Sequence, residues 1–219
     1  MIPNDEAAPN GSRLDELLAG YAAGTLSPHL HSLVAAHLYL KPESRSFVRA
    51  MEQIGAQALE DMPACAVADR DRKLAAIFES AERVEPRPAA PVCSVMPPPL
   101  CAVAGKRVSD IPWRFKLPGV REFRLPDQAG TEATLYWIKP GKTIPSHTHE
   151  GSEVTLVLRG GFSDTTGHYM RGDIAIADPE IDHHPRADEG EDCICFAVTD
   201  APLRLTGPLA RFVRRIVGH

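Results

Sequence analysis

Six prolines fall between Glu85 and Pro99, in the stretch "EPRPAAPVCSVMPPP". Proline fixes φ and lacks an N–H, so this density opposes regular helix and favours extended chain. The stretch reads as a linker, and it divides the chain in two. Before it, apolar residues recur at helical spacing. After it, they alternate in short runs bounded by Gly and Pro. The expected architecture is an α + β multidomain chain: a small helical domain over 1–84, a linker over 85–104, and a strand-rich domain over 105–219 that ends in a helix.

In the first part, Leu14, Leu17, Leu18 and Tyr21 lie on one helical stripe, with Ser12 placed to cap its start and Gly24 its end. Ser27 and Pro28 open a second helix carrying Leu30, Leu33, Val34, His37 and Leu38. Phe47, Met51, Ile54 and Ala58 mark a third, closed by Pro63. Leu74, Ile77, Phe78 and Ala81 mark a fourth, from Asp69 towards Arg83. Stripes this narrow leave little core, so a partner surface would help hold such a unit. Leu17, Leu18, Tyr21, Leu33 and Leu38 are the residues expected to meet it.

In the second part, "TLYWIK", "EVTLVLR", "DIAIAD" and "DCICFAVTD" read as strands, with "FRLP" and "LRLTG" weaker. Val154, Leu156 and Leu158 share one face of a strand and Val157 takes the other. If one face fills a barrel, the apolar outer face needs a cover. The helical domain, a second subunit or the last helix, "LARFVRRIVG", are the candidates.

The 24 Lys and Arg residues are outnumbered by 29 Asp and Glu, for a net charge of -5. That balance argues against a nucleic-acid surface, which needs a basic face. No apolar run approaches the roughly 20 residues of a membrane span. "MIPNDEAAPNGSR" lacks the basic start and apolar core of a signal peptide, so the cytoplasm is expected. Five cysteines without a repeated spacing make no disulfide framework. Cys193 and Cys195 face one side of a strand and read as small buried hydrophobes.

His147 and His149 also share a strand face, and Glu153 has the same parity after a short turn. Two neutral imidazoles and a carboxylate suit a divalent first-row metal, whether zinc, iron, manganese or nickel. A fourth ligand is expected from the pair His183–His184, one pointing in and the other away. Asp164 and His168, in "SDTTGHYM", are expected on the surface, which leaves the barrel without a second acid–base pair.

The spacing of Gly141, His147, His149, Glu153 and Gly160 matches the first signature motif of the cupin superfamily. Gly172 through Pro179 to the histidine pair resembles the second. The resemblance implies an antiparallel jelly-roll β-barrel over about 105–205, with the metal inside. Consensus spacing after Pro179 points to His184 as the fourth ligand.

A closer resemblance is to the ChrR family of anti-sigma factors. It is carried by "LLAGYAAGTL", the proline-rich linker, "EVTLVL" and "DCICFAVTDAPLRL", over nearly the whole chain. In that family the ligand is followed by one residue and a proline, and "HHP" then selects His183. The resemblance implies a cytoplasmic regulator whose helices bind an extracytoplasmic-function sigma factor. Its zinc-binding cupin would release that factor under singlet oxygen or related oxidative stress. One departure stands out. The family's helical domain holds its own zinc, but here His37 is followed by Lys41 and Ser44 where cysteines belong, and Ser12 replaces an early histidine. No zinc is expected there. The competing expectations are a metal-dependent, dioxygenase-like cupin enzyme acting on a small molecule, and a homodimeric barrel with no activity of its own.

Overall fold

The computed structural model describes residues 9–80, 93–149, 151–178, 183–200 and 203–205, with backbone alone at 9, 10, 149 and 203–205. The helix expected over Leu209 to Val217 lies outside the described residues, as do Ala81 and Arg83.

Four helices precede the linker: α1 Pro9–Ala22, α2 Pro28–Leu40, α3 Arg45–Glu60 and α4 Arg70–Glu79. The first begins three residues before the expected cap, so Ser12 lies inside it. The chain leaves α1 through Gly24, whose φ of 69° is the left-handed conformation that glycine adopts at low cost. A fifth helix, α5 Pro98–Ala104, corrects the extended reading of the linker's end. Its prolines stand in the first turn, where a missing N–H and a fixed φ cost nothing, and Leu100 and Cys101 behind them are buried.

The strands are β1 Arg114–Leu117, β2 Val120–Arg124, β3 Glu132–Ile138, β4 His147–His149, β5 Glu153–Arg159, β6 Gly161–Ser163, β7 His168–Met170, β8 Ile174–Ala177, β9 Arg186–Ala187, β10 Cys193–Thr199 and β11 Leu203–Leu205. Six of them form one sheet, in the order β1-β2-β3-β10-β5-β8, and its pairs are antiparallel. The pair β11-β4 and the trio β7-β6-β9 form two further sheets.

Alternation along β5 and β10 sets what each face meets. Val157, Cys193 and Cys195 point into the barrel beside Phe162, Tyr169 and Ala175. Val154, Leu156, Leu158, Ile194, Phe196 and Val198 point outward. A strand buried on both faces needs a second cover, and the helices supply it: Leu33, Val34 and Ala36 of α2 lie fully buried in the same core cluster as those outward residues. Of the three candidate covers, the helical domain is the one observed, and it shares its core with the barrel. This corrects the expected partner surface. Leu18, Leu33 and Leu38, at 2, 0 and 7% exposure, are spent on the shared core, while Leu17 and Tyr21 are half-buried at its edge. A helical stripe marks a buried face without naming what buries it.

One turn of the barrel gathers the contacts between the parts. Arg171 donates to the carbonyls of Ser94, Val95 and Leu158. The Gly172 carbonyl accepts from His37 Nδ1 at 2.7 Å. Asp173 pairs with Lys41 at 3.0 Å. Gly172 has φ +91°, and a Cβ there would stand 2.9 Å from Lys41 carbons and 3.2 Å from Leu40 Cβ. Glycine is what lets α2 approach this closely.

His37 is buried, with Nδ1 committed to Gly172 and Nε2 at 2.9 Å from Ser44 Oγ. Ser44 and Lys41, which stand in the family's cysteine positions, thus serve polar contacts. Burial is the largest influence on the ring and holds its pKa below 6.5; the Gly172 carbonyl pulls it up, and the Lys41 charge pushes it down. The unfolded chain therefore takes up a proton at a higher pH than the folded one. This contribution to stability is complete above the unfolded value of about 6.5 and is lost as pH falls from there through the lower folded value. Denaturant titrations between pH 7.5 and 5 should show the native chain losing more stability than His37→Gln. Parallel curves would remove His37 from the account.

Candidate metal centre

β4 and the segment at His183 run antiparallel, with each backbone N–H 3.1 Å from the other's carbonyl. Facing residues of such a pair carry their side chains side by side, and the rings of His147 and His183 lie 4.3 Å apart. Glu153 opens β5 beneath them. One donor atom from each of His147, Glu153 and His183 lies within 4.8 Å of the others. The pocket is walled by Ile138, Ile144, Phe162, Ala175 and Cys195. Gly160 follows β5, with φ +62° and a Cβ that would meet the Asp192 carbonyl at 2.8 Å, so the motif's last glycine is set by backbone crowding.

The hydrogen bonds fix which imidazole nitrogen faces the pocket. Nδ1 of His147 donates to the Pro145 carbonyl at 2.8 Å, which puts the lone pair on Nε2. Nδ1 of His183 donates to Asp164 Oδ2 at 3.2 Å, with the same result. Asp164 is held in turn by the Thr166 N–H at 2.8 Å and the Gly167 N–H at 3.2 Å. Burial works against its charge, but the bonds from His183 and Thr166 outweigh that and lower its pKa. Carboxylate-oriented histidine is the arrangement metal sites use to set tautomer and ring angle. Glu153 behaves oppositely. Burial is the largest influence and raises its pKa, against the Thr155 hydroxyl that donates to it at 3.1 Å. A buried carboxylate beside two imidazole lone pairs is a site that a divalent cation would neutralise. The donor set fits such an ion.

The expected ligands are distributed as follows. His147, Glu153 and His183 come together. His149 is the last residue of β4, and its side chain lies outside the described residues. His184 is exposed. His168 is exposed too, paired with Asp188 at 2.8 Å. Asp164 overturns its expected surface placement: its side chain is 2% exposed and lines the pocket. The turn "DTTG" was the available signal, since an aspartate two and three residues before free N–H groups commonly caps them. Lys116 and Tyr136, also in the wall, carried no sequence signal. Lys116 lies 2.6 Å from Glu122 and 3.3 Å from the Tyr136 hydroxyl.

A jelly-roll barrel with convergent imidazole and carboxylate donors, capped by a helical unit on its outer face, defines a cupin protein with an added helical domain. Residues 103–202 match the ChrR cupin-like domain family. Over 202 residues the chain is 41% identical to the anti-sigma-E factor ChrR of Cereibacter sphaeroides, covering 91% of this chain and 94% of that protein. The crystal structure of Rhodobacter sphaeroides SigE in complex with the anti-sigma ChrR matches with a TM-score of 0.73 at 40% identity, over 85% of this chain and 96% of that one. The chain belongs to the ChrR family of anti-sigma factors.

Proposed function

We propose that this chain is a cytoplasmic regulator that binds an extracytoplasmic-function sigma factor through its helices and releases it in response to oxidative stress. The relationship over 94% of a protein named as an anti-sigma factor supports the class of partner. The observation that carries the reading here is the stretch 52–80, where every residue is exposed. Leu59, Ile77 and Phe78 are 70, 64 and 73% exposed, and Ile54 and Met62 extend the same apolar series. An isolated 10-residue helix such as α4 is marginal in water, and apolar residues in this number need a cover. The sigma factor is that cover. The docking surface accordingly moves from the stripes of α1 and α2 to α3 and α4. Tyr21 and Leu38 remain at its border, lining a shallow groove with Tyr39.

The barrel's part in this reading is a divalent metal held by His147, His149, Glu153 and His183. Family membership favours zinc, and the same donors suit iron, manganese or nickel. Such a metal, when bound there, would supply a coordination position open to an oxidant. Asp164 holds the His183 ring, the Pro145 carbonyl holds His147, and the apolar wall limits water.

The test is binding of the purified full chain to the extracytoplasmic-function sigma factors of its host. One is expected to form a stable complex, and Phe78→Glu should weaken it at least about tenfold with an unchanged melting temperature, because Phe78 contributes nothing to the core. Absence of any complex, together with iron-dependent oxygen consumption, would replace this reading with the enzymatic one.

A further inference from the structure

Cys93 and Cys101 lie at the joint between linker, helices and barrel, outside the metal pocket. Their sulfurs are tied to one residue: the Met96 N–H points at Cys93 Sγ at 3.4 Å, and Cys101 Sγ donates to the Met96 carbonyl at 3.3 Å. The two thiols are thus brought to opposite ends of a single residue's backbone, one at its N–H and one at its carbonyl. Cys93 is partly exposed and Cys101 is buried at 1% exposure.

We propose that Cys93 and Cys101 form a peroxide-reactive dithiol, with Cys93 the attacking sulfur and Cys101 the resolving one. A sulfur that accepts from a backbone N–H, as Cys93 does from Met96, is favoured as thiolate, which is the nucleophilic form. Burial alone would raise the Cys93 pKa, but the backbone amides about it, Met96 first, outweigh burial and bring it below the ordinary thiol value. Cys101 goes the other way, raised by burial and then by its neighbour Cys93. One partly exposed thiol with its pKa lowered beside one buried thiol with its pKa raised is the division of labour that peroxide oxidation needs. The other cysteines lack it. Cys193 and Cys195 are buried inside the barrel, and Cys65 is exposed with its sulfur directed at the neighbouring Ala66 carbonyl.

The chemistry balances. The Cys93 thiolate attacks one oxygen of hydrogen peroxide, the O–O bond breaks, and the departing hydroxide takes a proton to become water. Cys93 is then a sulfenic acid. The Cys101 sulfur attacks the Cys93 sulfur, the S–O bond breaks, and the oxygen leaves as a second water with the Cys101 proton. Two thiols have lost two electrons and one peroxide has become two waters. The new bond, about 2.05 Å long, removes the Cys101 S–H that donates to the Met96 carbonyl. The carbonyls of Ser94 and Val95 in the same loop are held by Arg171, next to the turn that holds α2, so the disulfide strains the contact between helices and barrel. The proposal concerns the chain by itself and stands whether or not a sigma factor binds.

The test uses the full-length Cys65→Ser chain, treated with hydrogen peroxide, alkylated after unfolding and mapped by mass spectrometry. The expected result is loss of two alkylatable thiols and a peptide pair linked through Cys93 and Cys101, reversed by dithiothreitol. Cys93→Ser should abolish the loss. Cys101→Ser should leave a dimedone-reactive sulfenic acid at Cys93, and Cys101→Ala repeats that measurement with an apolar side chain suited to the buried position. Full alkylation of Cys93 after peroxide, a link through Cys193 and Cys195 instead, or no dimedone adduct in either Cys101 variant overturns the assignment.

Discussion

Leu33→Ala is expected to destabilise the entire chain by about 2–5 kcal/mol, with helices and barrel still unfolding together. Leu33 has no exposed area and sits in the cluster that includes Leu135, Leu156 and Phe196 of the main sheet. Truncation removes buried methyl groups and leaves a cavity that a helix pressed onto a sheet cannot readily close. For a chain of this size each kcal/mol lowers the melting midpoint by about 2–4 °C, so the shift is readily measured by calorimetry. The form of the transition matters as much as its position. If the helices were an independent domain on a tether, the mutation would split the melt and leave the barrel's midpoint in place. Two separated transitions would therefore refute the shared core. Ile77→Ala, on the exposed face of α4, is the control and should move the midpoint little.

The second large effect is on metal. His183→Ala is expected to eliminate the stoichiometric divalent ion, read as metal per chain after purification without added metal. Removing one imidazole leaves Glu153 and His147 with a poorer donor set and an uncompensated buried carboxylate. Asp164→Asn keeps every ligand but replaces the ionised partner of His183 Nδ1, and should weaken affinity by roughly 10–100-fold. His184→Ala, at an exposed position, should leave content unchanged. Full metal occupancy in His183→Ala, or loss in His184→Ala, would reassign the site.

Much of this was legible in the residues, and the failures have physical causes. Period-two alternation assigned Val154, Leu156 and Leu158 to one face and Val157 to the other, because side-chain direction in a strand follows parity alone. The same rule put Cys193 and Cys195 on one side. Parity also brought His147 and Glu153 to one pocket, although β4 and β5 belong to different sheets. What could not be read were pairings between distant segments. Leu18 and Leu33 looked like a docking stripe because nothing local reveals that a sheet more than a hundred residues on lies against them. Asp164 looked like a surface turn because its partner, His183, is 19 positions away. The helix α5 was hidden by prolines whose usual meaning reverses when they occupy a first turn.

Strand β8 links the two halves of the molecule more directly than any loop. At one end, Gly172 and Asp173 hold His37 and Lys41; at the other, Asp178 pairs with Arg13 of α1. Between them, Ala175 and Ala177 form part of the pocket wall, and Ala177 lies opposite Glu153 in the ladder. The helical cap is thus fastened at both tips of a four-residue rod whose flank is the chamber's own lining. A rearrangement inside that chamber has no intervening hinge to absorb it before it reaches the fastenings.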